Sequence, residues 1–506
     1  MYQNFILQNS SEKLQIGFCV SLGCRFECLC YYDQSGCRRF GPLGCHLVVA
    51  LPSSRVINTL QVIRRGPPKK LGPARAHTTQ FFTQRLDHFD VFNNATWQQR
   101  YFISTDVYVP GAPIFLLLAG EWEADPVEIE FTFISQLAAN FSGITIDLEH
   151  RYYGQSRPTP NTSLENLKYL SVDQALEDAA NFALSLKESL GLNGPWIVIG
   201  ESYSANLAAW ARARYPHIFV GAYASSAPIL AQLGIPEYME VVNEALVATD
   251  PACPVVIQAS TDELDALILN GDAEKITQLF NLASTIDLAN KYDLMLLRFY
   301  ISLIVFGQEV QYAVRGSLAR VCETLVAGQS TPLETVAQFF RDTFNGAQIN
   351  VVTDDLFSYY KNDIQFSDDV NRPWLYHSAI ELGYYQSLAS QNQPFGQNMT
   401  EELFLRFNAE VYGPEFTREL TQSGIDRTNL AFGGLNPDVT RVIYTHGTLD
   451  PWHALGRETD LNPDSPVIMI EGLSHCYDTV GVPSSDDPQQ LIDARLRIIE
   501  IVSSWL

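Results

Sequence analysis

Trp196–Tyr215 reads WIVIGESYSANLAAWARARY, and this stretch decides the fold. Trp196–Ile199 is a short apolar run with the length of a buried strand, and Asn206–Arg214 carries helical spacing. Between them, Gly200-Glu201-Ser202-Tyr203-Ser204 sets small residues two before and two after Ser202. A backbone turning that sharply from strand to helix needs small flanking side chains, and the turn exposes the serine hydroxyl. It also aims the next amide, Tyr203 N–H, at an oxyanion developing on a bound carbonyl, where the helix N-terminus adds partial positive charge. The strict G-x-S-x-G spacing is not met, because Ser204 occupies its last position. Taken alone, the segment also reads as an ordinary serine N-cap.

Outward from this turn, strands and helices alternate. Ile114–Leu118 and Gly143–Leu148 are apolar strand candidates. Ser171 opens a helix with Gln174 three residues on, the pattern of a capping box, and an apolar stripe runs from Ala175 to Leu186. Val220–Ala224, Arg441–Tyr444 and Val467–Ile470 are further strands, and Leu491–Trp505 is a terminal helix. This rhythm predicts an α/β fold with a parallel sheet covered by helices on both faces. Between residues 230 and 435 strand signals fade and helical stripes dominate, as in TDELDALILNGDAEKITQLF and LETVAQFFRDTF. An insertion of this size is a domain. The expected organisation is a sheet domain from 78–229 and 436–506, with 230–435 as a large helical cap over the sheet's C-terminal edge.

Composition narrows the function. The chain has 506 residues, 46% hydrophobic and 18% charged, and a net charge of −24. This excludes a disordered chain and a nucleic-acid binder that relies on a global basic field. The most apolar stretch, LMLLRFYISLIVFG, is shorter than a membrane span and carries Arg298, so it reads as a buried helix and no membrane span is expected. The charge is unevenly divided: the first 80 residues hold ten Lys+Arg against three Asp+Glu, and all the excess acid lies beyond them. The same segment holds six of the nine cysteines (Cys19, Cys24, Cys28, Cys30, Cys37, Cys45) and the basic, Pro-rich stretch Arg64–Lys70, which reads as a linker. It shows neither paired C-x2-C zinc spacing nor the basic start and apolar block of a secretory signal. Residues 1–77 are therefore expected to be an atypical basic, Cys-rich leader that is not folded with the enzyme.

A serine nucleophile needs a base and an orienting acid. In α/β-hydrolases the order is Ser, then Asp or Glu, then His, each at a strand's end. His475 follows the strand VIMI, in EGLSHCYD, and Asp450 follows RVIY, in THGTLDPW. The assignment is Ser202 as nucleophile, His475 as general base and then acid, and Asp450 as orienter. His446 and His453 are alternative bases, though each lies close in sequence to Asp450. Asp478 reads as a helix or turn residue.

These residues belong to a longer set of blocks: FTQRLDHFD, NNATWQQRYF, LLLAGEWEADP, EHRYYGQSRP, LSVDQALEDAANFA, GESYSANLAAW, SSAPI, ELGYYQS, GTLDPW and GLSHCYD. In these blocks, collinear from about Phe82 to the end, the chain resembles the serine peptidase family of lysosomal prolyl carboxypeptidase, dipeptidyl peptidase II and thymus-specific serine protease, with the thymus-specific branch nearest in appearance. The resemblance implies an α/β-hydrolase sheet with a helical insertion, and exopeptidase action on peptides, often with proline near the cut. Ser202, Asp450 and His475 match the family's triad positions. Tyr203, with Gly120 and Glu121 from the loop after the first strand, would form the oxyanion hole. The chain departs from the family pattern at Glu201 and Ala205 (glycines in the family), at Trp122 in the oxyanion loop, at His446 (asparagine in the family) and near Ala379, where a cysteine is replaced. These departures keep a catalytically weakened binding homologue open as an alternative, beside a lipase or esterase of the same fold.

Other assignments are secondary. Glu149 and Arg151 read as a buried ion pair that positions a loop, with a place near the site as the other reading. Trp122, Glu381 and Trp452 are candidate substrate-binding residues, with core packing as the other reading. Sequons begin at Asn9, Asn94, Asn140, Asn161 and Asn398, and Asn94 and Asn398 lie in polar loops suited to glycosylation. Three cysteines remain beyond the leader; Cys253 and Cys322 both fall in the cap and are expected to pair, leaving Cys476 as a buried thiol. No H-E-x-x-H, Cys/His set or Gly-rich phosphate loop is present, so no metal and no cofactor are expected. The expected partners are peptide substrates, not nucleic acid, with a homodimer left open. By resemblance the protein is secreted or lysosomal.

Overall fold

Fully apolar strands that alternate with helices must be covered on both faces, and the computed structural model, which describes residues 56–57 and 76–506, covers them so. The six cysteines of the first 77 residues, the basic stretch Arg64–Lys70 and Asn9 lie outside the described residues, so the expectation of a leader there falls outside them too. Eight strands form the central sheet: β1 (Thr78–Arg85), β2 (Thr96–Ser104), β3 (Ile114–Leu118), β4 (Ile144–Leu148), β5 (Trp196–Glu201), β6 (Phe219–Ser225), β7 (Val442–Gly447) and β8 (Val467–Ile470). Their spatial order is β8-β7-β6-β5-β3-β4-β2-β1. β1 and β2 pair antiparallel, as do β2 and β4, and every other pairing is parallel. This is an α/β-hydrolase sheet. β1 and β2 are additions to the sequence reading; TTQFFTQR is polar and mostly exposed at the sheet's edge, so no apolar run marks it.

β3 shows why an unbroken apolar run is needed. Phe115 and Leu117 pack with Phe133, Ile134 and Leu137 of the helix Phe133–Asn140 and with Ile498 and Val502 of the terminal helix Gln489–Trp505. Ile114, Leu116 and Leu118 face the other way, into the cluster that includes Leu176 and Phe182 of Val172–Ser189 and Ala208 of Tyr203–Arg214. Each fully buried aliphatic side chain contributes about 1.5–3 kcal/mol. The helix Val172–Ser189 starts as predicted, with Ser171 Oγ accepting from Gln174 N–H. The reciprocal half of the expected box is missing, because the Gln174 carboxamide instead bonds Asp87 and His88 N–H after β1. The full reciprocal box occurs elsewhere, at Thr331 and Glu334.

The chain leaves the sheet after β6 and returns at β7. The intervening segment is mostly helical, with two short parallel strands, Gln232–Ile235 and Gly383–Gln386, that the helical stripes did not announce. Cys253 and Cys322 form a disulfide between the helices Ala252–Asn270 and Ser317–Val326. The apolar stretch from Leu294 is a buried helix, but it widens into a π-helix over Tyr300–Gly307 before one further α turn, Gln308–Gln311. π-helical turns recur at functional sites. A second one, Ser378–Leu382, ends at Gly383 and Tyr384, both with positive φ. Val56–Ile57 runs parallel to Gln348–Ile349.

Candidate active site

Ser202 sits where β5 turns into the helix Tyr203–Arg214, with φ 57° and ψ −127°, a backbone conformation that L-residues adopt only under constraint. The constraint is visible. Ser202 N–H donates to Ser225 O at 2.9 Å, and Ala205 N–H donates back to Ser202 O at 3.0 Å. A Cβ at Gly200 would lie 2.0 Å from Ser204 O, so only glycine fits there. Ser204, the departure from the strict motif, is fully buried and closes the turn by bonding Glu201 N–H through its Oγ at 2.9 Å. The helix therefore begins at Tyr203, three residues earlier than the sequence spacing placed it. Tyr203 is its first residue, so its amide has no partner within the helix.

Asp450 and His475 arrive from the ends of β7 and β8. His475 Nδ1 and Asp450 Oδ1 are 2.7 Å apart, and both side chains are buried. Trp452 N–H donates to the same Oδ1 at 3.0 Å. Burial works to raise the Asp450 carboxyl, but the His475 imidazole and its hydrogen bond, with the Trp452 amide, outweigh it and hold the group below its ordinary value. With Nδ1 committed to Asp450, His475 has Nε2 left for chemistry. The loop carrying His475 is held from the insertion: its N–H donates to Gln311 O at 3.0 Å, and Ser474 Oγ donates to Ala313 O at 2.8 Å. Ser202 and His475 line one cavity of about 890 Å³.

The loop after β3 also reaches this cavity, through Glu121 and Trp122. Trp122 folds back so closely that a Cβ at Gly120 would stand 2.2 Å from its ring. Glu149 anchors the loop, accepting from Ala124 N–H at 3.1 Å and pairing with Arg100, which also binds Glu123 at 2.9 Å. Arg151 pairs with Asp178, not with Glu149. The next residue of that block, His150, donates from Nδ1 to Arg151 O at 2.7 Å, which leaves Nε2 to accept from Tyr203 OH at 3.2 Å. Burial pushes the His150 imidazole down to about 3, so it stays neutral in this role.

Of the substrate-binding candidates, Trp122 and Trp452 line the cavity, while Glu381 does not. The Glu381 carboxylate is consumed by Val172 N–H at 2.7 Å, His377 Nε2 at 2.7 Å and Arg427 at 2.9 Å. His453 lies 3.6 Å from Glu458, away from Ser202's cavity. His446 is buried with no hydrogen bond at either ring nitrogen among the described residues, and burial lowers it to about 4. Asp478 is more than a turn residue: it is buried and accepts from Tyr223 OH, Ser225 Oγ and Thr445 Oγ1, tying β6 to β7. Cys476 is a buried free thiol, pushed well up by burial. Asn94 and Asn398 are exposed. Among the described residues no group of His, Cys, Asp and Glu could hold a metal ion, and no helix is long and apolar enough to cross a membrane.

The sequence motifs did not single out Gln311, Gln308, Phe299, Trp374 and Phe404 of the cavity lining, nor Tyr238, which bonds Gln311, and Tyr384 stood in the ELGYYQS block without a role. The only signal was two glutamines spaced i, i+3 directly after an apolar run.

The family profile described as serine carboxypeptidase S28 matches residues 84–498. Among curated proteins, one of Caenorhabditis elegans named as a serine protease is 32% identical over 91% of this chain and 96% of its own length. The thymus-specific serine protease of Mus musculus is 29% identical over 86% of this chain and 89% of its own. The lysosomal Pro-X carboxypeptidase of Mus musculus is 27% identical over 86% and 90% respectively.

Proposed function

This chain belongs to the serine carboxypeptidase S28 family and is a serine-type peptidase, and from that premise we propose that it is an exopeptidase working through Ser202, His475 and Asp450. The observation that carries this reading is the His475–Asp450 pair opening on the same cavity as the strained Ser202. Ser202 Oγ attacks the scissile carbonyl while His475 Nε2 takes its proton. Asp450 holds the imidazole in the right tautomer and stabilises its charge. The tetrahedral oxyanion receives the Tyr203 amide and an amide of the Gly120–Glu121 loop. The C–N bond breaks as His475 returns the proton to the leaving amine, giving an acyl-enzyme. Water, deprotonated by His475, then releases the acid and restores Ser202.

Short or proline-containing peptides are the proposed substrates. The aromatic side chains of Phe299, Trp374, Tyr384 and Phe404 in the cavity offer apolar contact to a pyrrolidine ring, and a relative is named a Pro-X carboxypeptidase. The lysosomal name of the same relative supports a lysosomal setting as part of this reading. Lipase or esterase action is the weaker reading, because acids line the cavity mouth at Glu121, Glu123, Asp125 and Glu128. A fluorophosphonate probe tests the reading: labelling of the folded protein that disappears in Ser202→Ala is expected. No labelling would favour a weakened binding homologue, and turnover of esters but not peptides would favour the esterase.

A further inference from the structure

The carboxamide of Gln311 has a fixed orientation. Trp452 Nε1–H, which can only donate, lies 3.1 Å from Gln311 Oε1, and Tyr238 OH donates to the same oxygen at 2.6 Å. Both lone-pair directions of Oε1 are therefore used, and the Nε2 amino group faces away from them. Gln311 is buried, lines the cavity with Ser202 and His475, and its Nε2 makes no hydrogen bond among the described residues. Gln308, one helical turn before it, lines the same cavity, and its Oε1 is buried with no partner among the described residues. Leaving the buried Gln308 Oε1 unpaired is costly unless a ligand completes it, and Gln311 Nε2 is a donor beside it with its amide orientation already fixed. The peptide main chain offers an N–H and a C=O with complementary roles.

We propose that Gln311 and Gln308 bind the main chain of the peptide substrate, Gln311 Nε2 donating to a substrate carbonyl and Gln308 Oε1 accepting from a substrate N–H. The inference rests on the peptidase reading above and adds a binding wall contributed by the inserted segment. It accounts for the π-helical turns over Tyr300–Gly307, which lead directly into the single α turn that carries both glutamines. It also explains why Gln311 is bonded at both ends: its backbone oxygen holds the His475 loop and its side chain holds Trp452, so a bound peptide is registered against the base.

The test is Gln311→Glu, which keeps the oxygen that accepts from Trp452 and Tyr238 but replaces the amino donor with a second acceptor. Peptide KM is expected to rise roughly tenfold, the loss of one hydrogen bond to a group left unpaired. The second-order rate of inactivation by a small fluorophosphonate, which senses Ser202 and His475 alone, should fall less than twofold. Peptide KM within twofold of wild type would overturn the proposal, as would a parallel loss of both rates, which marks a structural role. If Gln311→Glu does not melt cooperatively, Gln308→Leu, which breaks no internal hydrogen bond, decides by the same two readouts. A wild-type protein that takes up no fluorophosphonate and cleaves no peptide would instead refute the peptidase reading itself.

Discussion

His475 Nδ1 and Asp450 Oδ1 stand 2.7 Å apart with both side chains buried, and the amide of Trp452 shares that carboxylate oxygen. Asp450→Asn preserves the volume but presents an amide where His475 needs an acceptor, favouring the wrong tautomer. Peptide turnover should fall by about 10⁴-fold. Steady-state kinetics with the thermal melt followed in parallel checks this, and a loss under tenfold in a folded variant would remove Asp450 from the triad.

Gly120 and Trp122 are in such close contact that no side chain fits between them. Gly120→Ala should displace the indole and disturb the loop proposed to complete the oxyanion hole, lowering kcat by roughly 10²-fold. Adding Trp122→Gly should restore most of that loss. A double variant as slow as the single one would show that the loop does not act through this contact.

Burial lowers the His446 imidazole to about 4; the carboxylates of Asp450 and Asp478 work against this, and His453 and His475 add to it. The unfolded chain protonates this histidine near 6.5. Between those values the unfolded state binds one more proton, so the folded state loses stability as pH falls. Wild type should lose about 1.4 kcal/mol per pH unit more than His446→Asn over this window. Urea denaturation from pH 6.5 to 4.5 measures the two slopes, and parallel slopes would refute it.

Glu121, Glu123, Asp125, Glu128, Glu201 and Asp368 line the cavity against one arginine, Arg157. Peptides that bring positive charge, as a free amino end or a basic side chain, should have higher kcat/KM than matched acidic peptides. Raising the salt concentration should narrow the ratio, because exposed charges are screened within about 10 Å at 0.1 M. A ratio insensitive to salt would mean that these carboxylates do not face the substrate.

Local chemistry made much of the sheet legible. IFLLL and WIVI are strands because both faces of a parallel sheet are buried, while VIMI, at one edge of the sheet, is half-buried and still apolar; in each the signal sits in a handful of adjacent residues. The edge strand TTQFFTQR was not legible, because its side chains are polar and mostly exposed, so no apolar run marks it. Half of the Ser171 capping box formed, and the other half was lost when the Gln174 side chain found Asp87 instead.

The sequence by itself determined the strand–turn–helix around Ser202, the chain order Ser202, Asp450, His475 and the family, since each depends on neighbouring residues or collinear blocks. Only the tertiary structure decided that Glu381 is spent on a helix N-terminus and two side chains, that the His446 ring is buried without a hydrogen bond among the described residues, and that Gln311 spans 141 positions to reach Trp452. A hydrogen bond between residues so far apart leaves no periodicity in either segment. It exists only once folding has brought both donors and their acceptor out of water to one place.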